Sequence, residues 1–291
     1  MLIRFIHGIA FGFSSTATGT ISSRIIPENR KGEGIGYYGL SVTLASAIGP
    51  FIGLVFNNHL GFKSIFAISL LSILIAFVLS IFIKKLPVLN NNIEAKDQPS
   101  GIHAYLQKEA LPISLVVILI GVAYSSVLSF LSIYSEKINL VTTSSFFFIV
   151  FAIVTFITRP FTGKIYDNYG ENKVMYPVLL SFTFGLIILG FTHTSMILLI
   201  AAAFIGFGYG TIVPTAQAIA IQQSPANKMG LATSTFYIFA DFGAGMGPFI
   251  LGIIIPFIGY RHLYMAMGML VIIALILYYY VHGRMHKNPF N

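Results

Sequence analysis

Residues 43–61, TLASAIGPFIGLVFNNHLG, and residues 241–259, DFGAGMGPFILGIIIPFIG, are two versions of one apolar segment. Each carries Gly-Pro-Phe-Ile, at Gly49-Pro50-Phe51-Ile52 and at Gly247-Pro248-Phe249-Ile250, and each ends on a glycine, Gly61 or Gly259. The match spreads outward from there. Laid so that Gly61 falls on Gly259, the chain matches itself without a gap from Gly8 on Gly206 to Ile68 on Ala266. Gly12, Pro27, Asn29 and Gly32 fall on Gly210, Pro225, Asn227 and Gly230, and the cations Arg30 and Lys63 fall on Lys228 and Arg261. Self-similarity of this kind marks a duplicated structural unit. Met1 falls on Leu199, so the first copy lacks a counterpart of roughly residues 111–198, and the sequence reads as one that begins part-way into its first unit.

Both copies lie in sequence too apolar for a soluble fold. Hydrophobic residues make up 56% of the 291 and charged residues 9%, against roughly 25% charged in a soluble domain. Nine runs are each long enough to cross a hydrocarbon core of ~30 Å as a helix: 2–26, 34–57, 64–83, 111–134, 144–161, 174–191, 196–219, 231–255 and 263–281. Spanning strands would be shorter and would alternate in hydrophobicity. With no water in the bilayer core, a helix is the remaining way to satisfy the backbone. The expected class is an all-α, multi-pass membrane protein: three helices at 1–83, a polar, flexible linker at 84–110, and a six-helix half at 111–291. Three further spans ahead of residue 1 would restore six plus six.

The net charge of +8 is not a nucleic-acid footprint, because it is sorted by side. Arg24, Arg30, Lys31, Lys84, Lys85, Lys96, Lys108, Arg159, Lys164, Lys173, Lys228, Arg284 and Lys287 fall on one side of the expected spans, and Lys63, Lys137 and Arg261 on the other. That bias puts the linker and the C-terminus in the cytoplasm of a cell-membrane protein. The absence of cysteine removes disulfide and thiol chemistry. No Walker lysine motif, no acid pair suited to magnesium and no His–acid cluster stands in the chain, so neither an enzyme nor a cofactor or metal is expected. Parallel repeats in a membrane bundle are typical of secondary transporters, with a small-molecule site between the halves.

Three motifs carry a more specific likeness: Arg4-x2-His7-Gly8-x3-Gly12, Gly36-x8-Ala45-x3-Gly49-Pro50-x2-Gly53, and Gly163-x3-Asp167-x2-Gly170-x2-Lys173. They resemble motifs of the major facilitator superfamily, and within it of the drug:proton antiporters. The resemblance implies a bundle of two pseudo-twofold halves that exports a small organic compound against protons by alternating access; a monomer is expected. It implies proton coupling at Arg4 with His7 nearby, although Arg4 so close to the start of its span also reads as a cation snorkelling to the surface. It implies an antiporter helix at Gly36, Ala45, Gly49, Pro50 and Gly53, bent by proline and closely packed through small residues, with Gly247 and Pro248 as its repeat. It implies a loop at Gly163, Asp167, Gly170 and Lys173 whose acid holds the start of the span near Gly34–Gly36, with Arg159 or Lys164 as cationic partners. Ala45 and Leu54 stand where the pattern has glycine, and Asn168 and Glu171 where it prefers a cation. The family's frequent first-helix acid and principal loop signature are absent, which leaves in doubt whether residues 1–291 transport alone.

Asp241 is the one acid well inside an expected span, about ten residues or ~15 Å from its start. A carboxyl there either takes and releases protons, or recognises a cation, or makes a structural hydrogen bond to a neighbouring helix. Tyr124, Gln217 and Tyr237 are the cavity candidates: aromatic walls suit flat lipophilic cations, and Gln217 is polar within an apolar run. Against most single aromatics stands plain packing or lipid contact. Two rival functions remain at this point: an importer of a sugar, osmolyte or metabolite, and a non-transporting membrane protein or inactive fragment.

Overall fold

The structure is a computed structural model that describes residues 2–82 and 105–284. Every regular element among them is helical: α1 Leu2–Ile25, α2 Lys31–Leu60, α3 Phe62–Ile81, α4 Leu111–Lys137, α5 Val141–Tyr169, α6 Asn172–Gly190, α7 Ser195–Gln222 and α8 Met229–Tyr278, followed by one π turn, Tyr279–Gly283. The expected all-α class is the one found. Of the expected 84–110 linker, all but 105–110 lies outside the described residues. Among the described residues, six helical stretches have the length and apolarity to cross a membrane, the last of them Ala226–Gly283. The protein is a multi-pass membrane protein; the expected count of nine crossings rests on the apolar runs of the sequence, and six helical stretches meet the measure here.

The duplicated sequence folds into duplicated backbone. Gly61 ends α2 with φ 79° and ψ 168°, and its counterpart Gly259 breaks α8 with φ 74° and ψ 169°. That region is open to glycine and almost closed to other residues, so one residue type sets both sharp corners. Pro27 (φ −58°, ψ 146°) and Pro225 (φ −55°, ψ 144°) each lead into a 3-10 turn, Glu28–Arg30 and Ala226–Lys228, before the next helix begins. α1 therefore corresponds to α7, and α2 to the first arm of α8.

Packing respects the same correspondence. Across the halves, α2 lies on α7 and α1 lies on α8, which is one contact seen twice. Gly39 meets Pro214 so closely that a Cβ on Gly39 would lie 2.6 Å from Pro214 Cβ, and their counterparts Tyr237 and Thr16 line one cavity together. Gly19 and Gln217 are counterparts of each other, and they touch: a Cβ on Gly19 would lie 3.4 Å from Gln217 Nε2. Equivalent residues of two related halves meet only at the axis that relates them, so Gln217 sits beside that axis.

Within the second half, α4 packs along α8, and α6 and α5 along α7. Small residues permit this, since helices in lipid gain their contact by close approach rather than by hiding from water. A Cβ on Gly243 would lie 2.5 Å from Ile118 O, and one on Gly121 3.0 Å from Ala244 N. The first-half copy differs. Among the described residues, nothing stands within 4 Å of a Cβ on Gly49 or Gly53. Gly36 of the same motif is closely met, a Cβ there lying 3.1 Å from Arg159 Nε, whereas at Gly49 the expected close packing is found at its repeat Gly247, opposite Ser125 of α4. α3 buries no residue and shows an apolar surface all round, as a helix does when its solvent is lipid.

Candidate functional site

A cavity lies between the halves, on the Gln217 axis. α2 contributes Gly39, Val42 and Thr43; α4 Tyr124 and Leu128; α5 Phe151; α7 Tyr209, Val213, Pro214 and Gln217; α8 Tyr237. The three cavity residues expected from sequence, Tyr124, Gln217 and Tyr237, all reach it. Tyr124 stacks on Tyr209 with ring centroids 3.5 Å apart and planes at 11°, and Phe151 lies 5.9 Å beyond Tyr124. Gln217 Nε2 donates to Tyr237 Oη at 3.4 Å. The result is an aromatic wall with a short polar row, and no acidic side chain in the lining.

Asp241 faces elsewhere. It lies in a second, more open cavity between α1 and α8, opposite Gly8, Gly12 and Thr16. It is exposed there, and makes no hydrogen bond or ion pair among the described residues. The structural hydrogen bond considered for it is therefore not made. Tyr237 lines both cavities and so separates Asp241 from the central one. Arg4 and His7 are exposed on α1 and line neither cavity.

The loop motif joins the halves beyond the Gly39 end of the cavity. Asp167, near the C-terminal end of α5, accepts from Gly32 N at 2.7 Å and Glu33 N at 2.9 Å. These are free N–H groups of the first turn of α2, where helix geometry leaves donors unpaired and the macrodipole favours a negative charge. The contact falls slightly ahead of the expected Gly34–Gly36 because α2 starts at Lys31. Gly163 makes the approach possible: a Cβ there would lie 2.7 Å from Glu33 Cα. Gly170, with φ 85°, turns the chain from α5 into α6, and Lys173 is exposed.

The expected cationic partners of Asp167 need correcting. Neither Arg159 nor Lys164 pairs with it among the described residues. Arg159 points the other way, buried between α2, α5 and α7, and its Nε donates to Gly36 O at 2.7 Å. Arg159 is two turns before Asp167 on α5, so it binds α2 one turn further in. Its Nη2 is buried with no hydrogen-bond partner among the described residues.

A second cluster stands beside this end that no motif in the sequence announces. His282, on the π turn after α8, lies 2.9 Å from Glu171 Oε1 through Nε2 and 2.7 Å from Gln223 Nε2 through Nδ1. Tyr278 Oη donates to Asn172 Oδ1 at 2.7 Å. Together they tie the ends of α7 and α8 to the start of α6.

The model of one family, described as the Major Facilitator Superfamily, matches residues 1–243 and again 140–290. Multidrug resistance protein MdtG of Salmonella arizonae is 24% identical over 90% of this chain and 66% of its own length. The protein of that name from Klebsiella pneumoniae is 24% identical over 86% and 62%. An uncharacterized MFS-type transporter of Methanocaldococcus jannaschii is 23% identical over 96% and 74%. The chain thus spans about two thirds of the length of the multidrug resistance relatives. Among solved structures, the human organic anion transporter MFSD10 superposes with a TM-score of 0.71 at 15% identity, covering 90% of this chain and 67% of that one, which is a likeness of fold.

Proposed function

The chain belongs to the Major Facilitator Superfamily, and from that premise we propose that it serves secondary transport: proton-coupled efflux of a small, lipophilic organic compound by alternating access. One observation carries this reading. The aromatic cavity stands on the axis between the halves, and beyond its Gly39 end the halves are joined by a contact, the hold of Asp167 on the start of α2. A site on the axis with a separable closure is the arrangement alternating access needs. The charge asymmetry puts that closure on the cytoplasmic side, so this form faces outward. The names of the multidrug resistance relatives favour efflux of drug-like compounds over import of a sugar or osmolyte, and the apolar lining agrees with them. Asp241 is the coupling carboxyl in this reading, with Tyr237 between it and the substrate.

Proteoliposomes carrying residues 1–291 test the proposal. An imposed pH gradient should drive uptake of a flat aromatic compound, and Asp241→Asn should leave binding intact while removing the dependence of flux on the gradient. Gradient-dependent flux that persists in Asp241→Asn removes that residue from coupling. Absence of flux from the wild-type chain refutes transport by residues 1–291.

A further inference from the structure

The cavity's neighbourhood holds one charge that the proposed mechanism does not use. Arg159 is 3% exposed. Its Nε is occupied by Gly36 O, while Nη2 has neither a hydrogen bond nor a carboxylate among the described residues. A buried cation is costly unless something compensates it, and a guanidinium donor left unmade is costlier than most. It lies directly behind the cavity lining. A Cβ on Gly39 would lie 3.4 Å from Arg159 Nη2, and Gly39 and Pro214 are themselves cavity-lining residues. These two residues stand between the buried nitrogen and the cavity, and glycine at 39 keeps that layer thin. Asp167, the nearest acid along α5, is spent on the backbone of α2.

We propose that Arg159 is the anion-recognising group of the central cavity, and that its substrate is an aromatic carboxylate whose charged end reaches the guanidinium past Gly39 while its ring lies against the Tyr124–Tyr209 wall. This rests on the cavity being the substrate site. The polarity of the lining agrees: Thr43, Gln217 and the tyrosines are neutral donors, and no acid is there to repel an anion or to attract a cation. A planar carboxylate also matches the planar fork of a guanidinium. The wall of aromatics, taken alone, suits a cation equally well; the buried guanidinium decides between them.

Binding to the purified full chain in nanodiscs, measured by calorimetry with three probes of one shape, tests the assignment: 2-naphthoate, the neutral 2-naphthamide and the cationic 2-naphthylmethylammonium. The expected order is naphthoate tightest, by ~10-fold or more, the size of one charge-assisted hydrogen bond. Arg159→Gln should erase the preference while naphthamide affinity stays, and Arg159→Lys should restore part of it. Equal affinities for the three probes in the wild type, or a preference for the cation, overturn the anion assignment and leave the binding cavity standing. Binding of none of them overturns the cavity reading, and the assignment with it. The wild-type series alone suffices if the Arg159 variants fail to fold.

Discussion

Asp167→Asn is the most informative substitution in this molecule. The carboxylate makes two hydrogen bonds to the first turn of α2, at 2.7 and 2.9 Å. An amide keeps one oxygen acceptor, so one bond is lost, worth ~1 kcal/mol for a helix-start donor. The charge is lost too, and a negative charge at a helix N-terminus contributes about 0.3–1 kcal/mol, more where partly buried. The sum is about 2 kcal/mol, and since 1.4 kcal/mol is tenfold, the closed form should lose ~30-fold in population relative to the open one. The chain has no cysteine, so a single introduced thiol reports without background. Ile35, 1% exposed on α2, is the position to label. In an Ile35→Cys chain, a membrane-impermeant maleimide reaching the Asp167 side should react slowly, and about 30 times faster once Asp167→Asn is added. Lys164→Cys, on the exposed face of α5, should react at one rate in both backgrounds. An Ile35→Cys rate unchanged within twofold would refute the idea that these bonds hold α2 against α5.

Two further outcomes follow from backbone geometry. Gly163→Ala places a methyl 2.7 Å from Glu33 Cα; it should cost ~1–3 kcal/mol by overpacking and raise Ile35→Cys labelling as Asp167→Asn does, and an unchanged rate would show that the helices separate without loss. Gly61→Ala and Gly259→Ala, at φ 79° and 74°, should each cost ~1–3 kcal/mol, read as matching drops in Tm in detergent. Unequal drops would mean that the two corners, alike in backbone, differ in what surrounds them.

Much of the fold was legible because punctuation in the sequence is local. Pro27, Pro225, Gly61 and Gly259 act through their own φ, so the ends they set could be read from residue type and confirmed by their recurrence in the repeat. The partner of Asp167 came from another source, the resemblance of Gly163-x3-Asp167-x2-Gly170 to a family loop motif, which implies a helix start opposite the acid. What could not be read depends on which helix faces which. Arg159 and Gly36 are far apart in sequence, and periodicity tells which face of α5 the guanidinium occupies but not that a bare stretch of α2 lies opposite. The stacking of Tyr124 on Tyr209 and the meeting of His282 with Glu171 arise in the same way, from crossing angles that no single segment encodes. Asp241 shows both sides of this: its depth in its span was readable, but that it faces α1 was not.

The meeting of Gly19 with Gln217 has a mechanical consequence. Two halves that tilt in equal and opposite measure keep the symmetry line they share, and a residue beside that line stays beside it. Gln217 therefore keeps to the midline of any motion in which both halves take equal part. In the proposed alternating access, a molecule resting on Gln217 stays central while the openings to the two faces of the bilayer exchange around it.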